Sequence, residues 1–286
     1  MTDRSFLFVP GDRPERFDKA VRSGAHQVII DLEDAVTPQR KDAAREAVAL
    51  WLRDTDVQVC LRINPADTPW HEADRALLAW PAVSRVMLPK AQARPELESL
   101  ARVLNAQQRI LPLVESVAGW FNLAELAAAP RVERLAFGSF DFMADSGIQG
   151  DGPELDAVRT QLVLHSRHAG LLPPIDGVSL ATDDAIRLEE EVRRSKRWGM
   201  GAKLCIHPKQ VGVVNQGFAP SEAEVTWARR VVQALAEAPL GAVAVDGKLV
   251  DKPIAKLAQA IVDEAQAAAV PGPQHAARPT GLTTGI

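Results

Sequence analysis

No apolar run in this chain approaches the roughly 20 residues needed to span a bilayer. The opening "MTDRSFLFVPGD" has neither a long apolar core nor a small-residue cleavage site, so it does not read as a signal peptide. Cysteine is scarce. Cys60 and Cys205 each sit inside an apolar run, which excludes a disulfide framework and reads as two buried reduced thiols in a cytoplasmic protein. Basic charge is not in excess either: a formal net charge of −4 offers no general attraction to nucleic acid or to an anionic membrane. No GxGxxG follows the first apolar run, which counts against a dinucleotide-binding fold.

What the sequence does contain is a series of short apolar runs rich in Val, Ile, Leu and Phe. In order they are "FLFVP" from Phe6, "QVIIDLED" from Gln27, "VQVCLRIN" from Val57, "RVMLPK" from Arg85, "RILPLVES" from Arg109, "RLAFGSFDF" from Arg134, "PPIDGVS" from Pro173 and "GAKLCIHP" from Gly201. The seventh, with two prolines and an Asp, is a weak strand by itself. Amphipathic segments fill most intervals. "PERFDKAVRSGA" opens on Pro14 and ends at Gly24, and "PQRKDAAREAVALWLRD" puts Ala44, Val48, Trp51 and Leu52 on one face. "SVAGWFNLAELAAAP", "ELDAVRTQLVLHSRHAG" and "TDDAIRLEEEVRRSKRWG" behave alike. Apolar strands alternating with such helices predict a parallel sheet covered by helices. Eight units favour a closed (β/α)8 TIM barrel, with an open doubly wound sheet as the alternative.

The barrel is expected to end with "PSEAEVTWARRVVQALAEA" as its last helix, giving a catalytic domain over 1–238. A hairpin around Asp246-Gly247 and a final helix from Ile254 form a C-terminal extension over 239–270, and 271–286 reads as a mobile tail.

In a (β/α)8 barrel the chemistry gathers at the C-terminal ends of the strands. Those ends carry Asp31, Glu33, Asp34, Arg62, Asn64, Lys90, Glu115, Asp141 and His207. Acids and bases converging on one mouth suit a metal ion and an anionic substrate better than a plain solvated rim. Glu115 and Asp141 follow consecutive runs; two hard oxygen ligands without a nearby Cys or His pair suit Mg²⁺ or Mn²⁺, not zinc. Arg62 has two readings, an ion pair with Glu33 or Asp34 and a guanidinium fork for a substrate carboxylate or enolate. Lys90 reads as an ion-pair partner of these acids, and His207 as either a rim residue or a substrate contact.

The pieces "FLFVPGDRPERFDKA", "VIIDLEDAV", "LRIN", "MLPK", "ESVAG", "AFGSFDF", "GAKLCIHPKQ" and "VDGKLVDKP" occur in an order that resembles the citrate lyase β-subunit-like proteins. These belong to the HpcH/HpaI aldolase superfamily, with malyl-CoA and citramalyl-CoA lyases among them. The resemblance runs from about Ser5 to Ala258. It implies a (β/α)8 barrel and a Mg²⁺-dependent enzyme that cleaves, forms or hydrolyses short 3-hydroxyacyl thioesters, its partners an acyl-CoA and a small 2-oxo acid. The metal ligands then fall on Glu115 and Asp141, and the substrate-acid arginine on Arg62. CoA-holding positions fall on Phe8, Arg13, Arg16 and Lys19, with a further contact at Ile206 and His207; Asp31, Glu33, Asp34 and Lys90 stand behind the ligands. A catalytic aspartate that relatives receive from a neighbouring subunit falls on Asp251, which implies a homo-oligomer, a trimer for preference. "PKAQA" departs from the acid that many members carry near this point. Two other readings stand beside this one: a citrate lyase β subunit acting on a carrier-protein thioester, and a pyruvate-type aldolase that needs no CoA.

Overall fold

In the computed structural model, which describes residues 2–237 and 243–269, the eight runs all become strands. They are β1 (Ser5–Pro10), β2 (Gln27–Asp31), β3 (Val59–Arg62), β4 (Val83–Leu88), β5 (Arg109–Val114), β6 (Ala136–Phe137), β7 (Ile175–Asp176) and β8 (Ala202–Cys205). Each pairs in parallel with the next, and β8 closes on β1 through Ser5↔Lys203, Phe6↔Leu204 and Leu7↔Cys205. The closed barrel expected from the strand count is what forms; the open sheet is not. β6 and β7 are only two residues long, and β7 forms despite the two prolines just before it.

Alternation along the strands sorts their side chains into two layers. Phe6, Ile29, Cys60, Met87, Leu111, Leu113, Ala136, Ile175, Ala202 and Leu204 form one cluster, the packed barrel interior. Their sequence neighbours, including Leu7, Ile30, Leu61, Val86, Ile110 and Phe137, join a larger cluster with helix residues such as Val48, Leu97, Leu162 and Val192. Both faces of each strand are therefore dry, which is why the runs are continuous in sequence and not alternating.

The helices are α1 (Phe17–Val21), α2 (Lys41–Asp54), α3 (His71–Arg75), α4 (Arg94–Ala101), α5 (Val117–Phe121), α6 (Leu123–Ala127), α7 (Ser139–Ser146), α8 (Asp156–His168), α9 (Ala185–Trp198), α10 (Pro208–Phe218), α11 (Glu222–Glu237) and α12 (Lys252–Ala269). On α2, Ala44, Val48 and Leu52 are buried as the spacing requires. None of these helices is long and apolar enough to cross a membrane.

The eighth barrel helix differs from expectation. Immediately after β8, Pro208 opens α10, whose Val211, Val214 and Phe218 are buried, and this helix packs on β8 and α9. The chain divides into a barrel unit, Thr2–Phe218, and a C-terminal unit that begins at Ala219. Within the latter, α11 packs on α12 around buried Ala228, Val231, Ala258 and Val262, with Ile254 and Ile261 against them. Strands β9 (Val243–Val245) and β10 (Lys248–Val250) form the hairpin; Asp246 and Gly247 both take positive φ, 52° and 74°, as its two-residue turn requires. So "PSEAEVTWARRVVQALAEA" belongs with the hairpin and not with the barrel, because its apolar face matches that of α12. The expected boundary at 238/239 and the tail 271–286 lie outside the described residues.

Candidate active site

A cavity of about 370 Å³ opens at the C-terminal ends of the strands. Its polar lining comes from Asp31, Asp34, Arg62, Glu115, Ser139 and Asp141, and its apolar lining includes Phe8, Leu113, Phe137, Phe140, Val178 and Leu204. The barrel brings these side chains together because parallel strands of one sheet all end on the same side.

Asp31 and Arg62 are register partners on β2 and β3. Arg62 donates from Nε to Asp31 Oδ1 and from NH2 to Asp31 Oδ2, each at 2.6 Å, while its NH1 lies 3.1 Å from Glu33 Oε2. The guanidinium also stacks 4.6 Å from the Phe8 ring centre. The ion pair with Glu33 weighed from sequence is therefore present, and Asp31, not weighed there, adds the two-pronged one. Burial works against the Arg62 charge, but Asp31, Glu33 and Glu115 outweigh it and hold the group firmly protonated. Asp31 further accepts the backbone N–H groups of Glu33 and Ala35, fixing the turn after β2.

Glu33 Oε1 accepts a 2.6 Å bond from Lys90 Nζ, and Asp34 lies 3.9 Å from the same ammonium. Burial raises the Glu33 carboxyl above its usual value, with Arg62 and Lys90 pulling the other way. Behind it, the buried Lys41 Nζ donates to Leu32 O, Glu33 O and Asn64 Oδ1, each at 2.7 Å.

Glu115 follows β5 directly and is buried, whereas Asp141 is exposed on the first turn of α7. The chain turns into α7 at Ser139, so Asp141 is carried by the helix and not by the end of β6 as its sequence position suggested. Burial, then the charge of Glu33, and then that of Asp141 push the Glu115 carboxyl up to about 8, against the Lys90 backbone N–H and Arg62, which lower it. Crowded acids of this kind lose their mutual repulsion when a cation sits between them. The donors are hard oxygens, the kind Mg²⁺ takes, so the residues fit such an ion. Among the described residues no group of three or more His, Cys, Asp or Glu could hold a metal, so a bound Mg²⁺ would draw its other ligands from water and substrate.

A second cavity, of about 580 Å³, is lined by Arg16, Lys19, His207, Lys209 and β1 residues including Pro10, and shares Phe8 and Ile206 with the first. Arg13 is in neither lining and lies 3.9 Å from Asp12. The backbone N–H groups of Ile206 and His207 both donate to Gln210 Oε1, and His207 Nδ1 accepts from the Lys209 N–H. Asp251 belongs to the C-terminal unit, where its Oδ1 accepts the Ile254 N–H at 3.0 Å and caps α12.

One polar network escaped the sequence reading. Asp176 on β7 is fully buried between Arg159 (Nε to Oδ1, 2.8 Å), Lys203 (Nζ to Oδ2, 3.2 Å) and the Ser195 hydroxyl. Arg159 also reaches Asp151, which accepts a 3.0 Å bond from the cavity-lining Ser139. Burial opposes the Asp176 charge, yet Lys203 and Arg159 hold its carboxyl well below the usual carboxylate range. The signal was present in "PPIDGVS" and "GAKLCIHP": opposite charges inside two consecutive apolar runs, which register places side by side as Asp176↔Lys203.

The HpcH/HpaI aldolase/citrate lyase family model matches residues 4–208. The citrate lyase subunit beta-like protein of Mycobacterium tuberculosis is 37% identical over 271 residues, covering 91% of this chain and 94% of that one. The (3S)-malyl-CoA thioesterase of Cereibacter sphaeroides is 32% identical over 256 residues, 87% of this chain and 89% of its own. A crystal structure of Mycobacterium tuberculosis CitE in complex with magnesium, acetoacetate and coenzyme A superposes with a TM-score of 0.80 at 34% identity, covering 92% of this chain and 98% of that one.

Proposed function

The chain belongs to the HpcH/HpaI aldolase/citrate lyase family, and from that premise we propose that it is a Mg²⁺-dependent carbon–carbon lyase of malyl-CoA- or citramalyl-CoA-type thioesters. The observation that carries this reading is the adjacency of two cavities. One presents Glu115, Asp141 and Arg62, the other Arg16, Lys19 and Lys209, and Phe8 and Ile206 line both. A substrate with a small oxo-acid head and a long, phosphorylated thioester tail has that shape and that charge distribution. The magnesium and coenzyme A of the CitE complex support the same assignment.

Bound at Glu115 and Asp141, Mg²⁺ would supply Lewis-acid polarisation of the oxo-acid oxygens. Arg62, held by Asp31, keeps a fixed positive charge over the cavity and stabilises negative charge as the carbon–carbon bond breaks. Phe8 and Leu204 keep that side of the cavity apolar, which strengthens the electrostatic contribution. Asp251 returns a proton to the thioester α-carbon in cleavage and removes it in the reverse direction. It does so in a neighbouring chain of a homo-oligomer, a trimer for preference. Cys60 and Cys205, both free and buried, suit the cytoplasm.

Hydrolysis of the same thioester is a second activity, favoured by the malyl-CoA thioesterase relative. The test is incubation of the protein and Mg²⁺ with a panel of acyl-CoA esters, with products followed by mass spectrometry. Acetyl-CoA or propionyl-CoA with a 2-oxo acid supports the lyase, and free CoA with the intact hydroxy acid marks the thioesterase. No turnover of any CoA ester, with turnover of a carrier-protein thioester, would move the chain to the complex-subunit class.

A further inference from the structure

Glu115 is bracketed on both sides by backbone, and each side shows a feature with no other evident use. On the β4 side, Lys90 adopts a left-handed φ of 50°, a conformation disfavoured for a residue with a side chain. In that turn two successive N–H groups reach across to β5 and its end: Lys90 N–H to Glu115 Oε1 at 2.7 Å and Ala91 N–H to Leu113 O at 3.2 Å. On the β6 side, the Gly138 N–H donates to Val114 O at 3.0 Å, drawing the chain against the end of β5. A Cβ on Gly138 would stand 2.5 Å from both Cβ and Oε2 of Glu115. The backbone of Gly138 has an ordinary negative φ of −96°, so space, and not conformation, is what demands glycine there.

We propose that the Lys90 backbone N–H and the bare Cα of Gly138 are positioning elements for the Glu115 carboxylate, occupying Oε1 and leaving the Oε2 side open for the metal. The proposal rests on the metal reading above. The Lys90 side chain is separate from this clamp, because its ammonium is directed to Glu33. The strained turn persists because it aims the N–H at a carboxylate, and the missing methyl keeps that carboxylate from being pushed out of place.

Two variants and a control test this, with Mg²⁺ affinity read by calorimetry and folding by circular dichroism and melting. Gly138→Ala should weaken Mg²⁺ binding by about tenfold or more, the scale on which groups that orient a metal ligand act. Lys90→Gly retains the N–H and suits a positive φ, and it removes a cation from beside two acids. Its Mg²⁺ affinity should therefore hold or rise. Wild-type affinity in a folded Gly138→Ala protein overturns the proposal. A tenfold loss in Lys90→Gly also overturns it, by placing the clamp in the side chain; this variant decides the question if Gly138→Ala does not fold. Asp141→Ala is the control for the site itself: if it binds Mg²⁺ as wild type does, the metal assignment fails, and not the clamp.

Discussion

Arg62 and Asp31 meet in a two-pronged ion pair, Nε to Oδ1 and NH2 to Oδ2, both at 2.6 Å, between register partners on adjacent strands. The pair holds a guanidinium at the cavity wall with its orientation already set. A charge that needs no reorganisation when negative charge develops is worth most to catalysis.

Arg62→Lys keeps the charge but cannot make the planar two-pronged bond. Its kcat/KM should fall at least about tenfold, a loss of about 1.4 kcal/mol in transition-state stabilisation. Asp31→Asn takes the two-pronged charge partner from the buried guanidinium, leaving it Glu33 alone, and should cost about 3 kcal/mol of stability by denaturant titration. If Asp31→Asn is as stable as wild type, the pair does not organise this side of the barrel.

The Glu115 carboxyl, raised from 4.5 to about 8, makes stability pH-dependent with a definite sign. Between those values the folded protein binds more protons than the unfolded chain, so metal-free stability falls as pH rises from about 4.5 towards about 8. Glu33, raised by burial, adds to this slope with the same sign. Saturating Mg²⁺ should offset the loss most near the upper end, where the carboxylate form it favours is needed. Melting temperatures of metal-free wild type and Glu115→Gln across this range provide the check, and the variant should show a flatter profile.

Asp251 separates capping from chemistry. Asp251→Asn retains a capping oxygen for the Ile254 N–H and should melt like wild type, while Asp251→Ala should lose about 1 kcal/mol from α12. Both should lose at least about a hundredfold in turnover if the carboxylate moves the α-carbon proton. Mixing Asp251→Ala with Glu115→Ala under subunit exchange should restore part of the activity. No recovery, with exchange confirmed, would assign Asp251 to its own barrel or to no site.

Asp176→Asn should be among the most damaging single changes in the barrel. It strands the buried Lys203 and leaves the buried Arg159 with Asp151 as its remaining acid, at a cost of about 3–5 kcal/mol. Because the folded-state value is depressed, this carboxylate contributes stability above its unfolded value near 3.8 and loses it as pH falls below that. Acid titration of wild type against Asp176→Asn should therefore show the variant less sensitive to acid.

Arg16→Glu combined with Lys19→Glu reverses charge along the second cavity and leaves the acid-lined one untouched. KM for CoA esters should rise about tenfold or more with little change in kcat, the pattern of lost uniform binding. Equal KM values for both proteins would place the thioester tail elsewhere.

Much of the fold was legible because it is encoded locally. Strands dry on both faces read as unbroken apolar runs, and helices repeat their apolar positions at a helical interval. The residues after each run face the mouth simply because the strands are parallel. The two-pronged partner of Arg62 was not legible in the same way, although its pairing with Glu33 was. Three acids lie within four residues of one another in "DLED", and only the β2–β3 register selects Asp31. The Asp176 network was missed because its proline-flanked run looked like a poor strand, whereas the buried pair with Lys203 is part of what holds it.

By itself, then, the sequence determined the number and order of the barrel strands, the polar residues that follow them, and the hairpin turn at Asp246-Gly247. These follow from side-chain periodicity and backbone preference within a few neighbouring residues. The tertiary structure alone decided that α10 and not α11 follows β8 in the barrel unit, that Asp141 rides on α7, and that Glu115 sits between a left-handed turn and a glycine. Each of those depends on which segments, far apart in the chain, come within a few ångströms, and a linear pattern carries no distance between segments that only folding brings together.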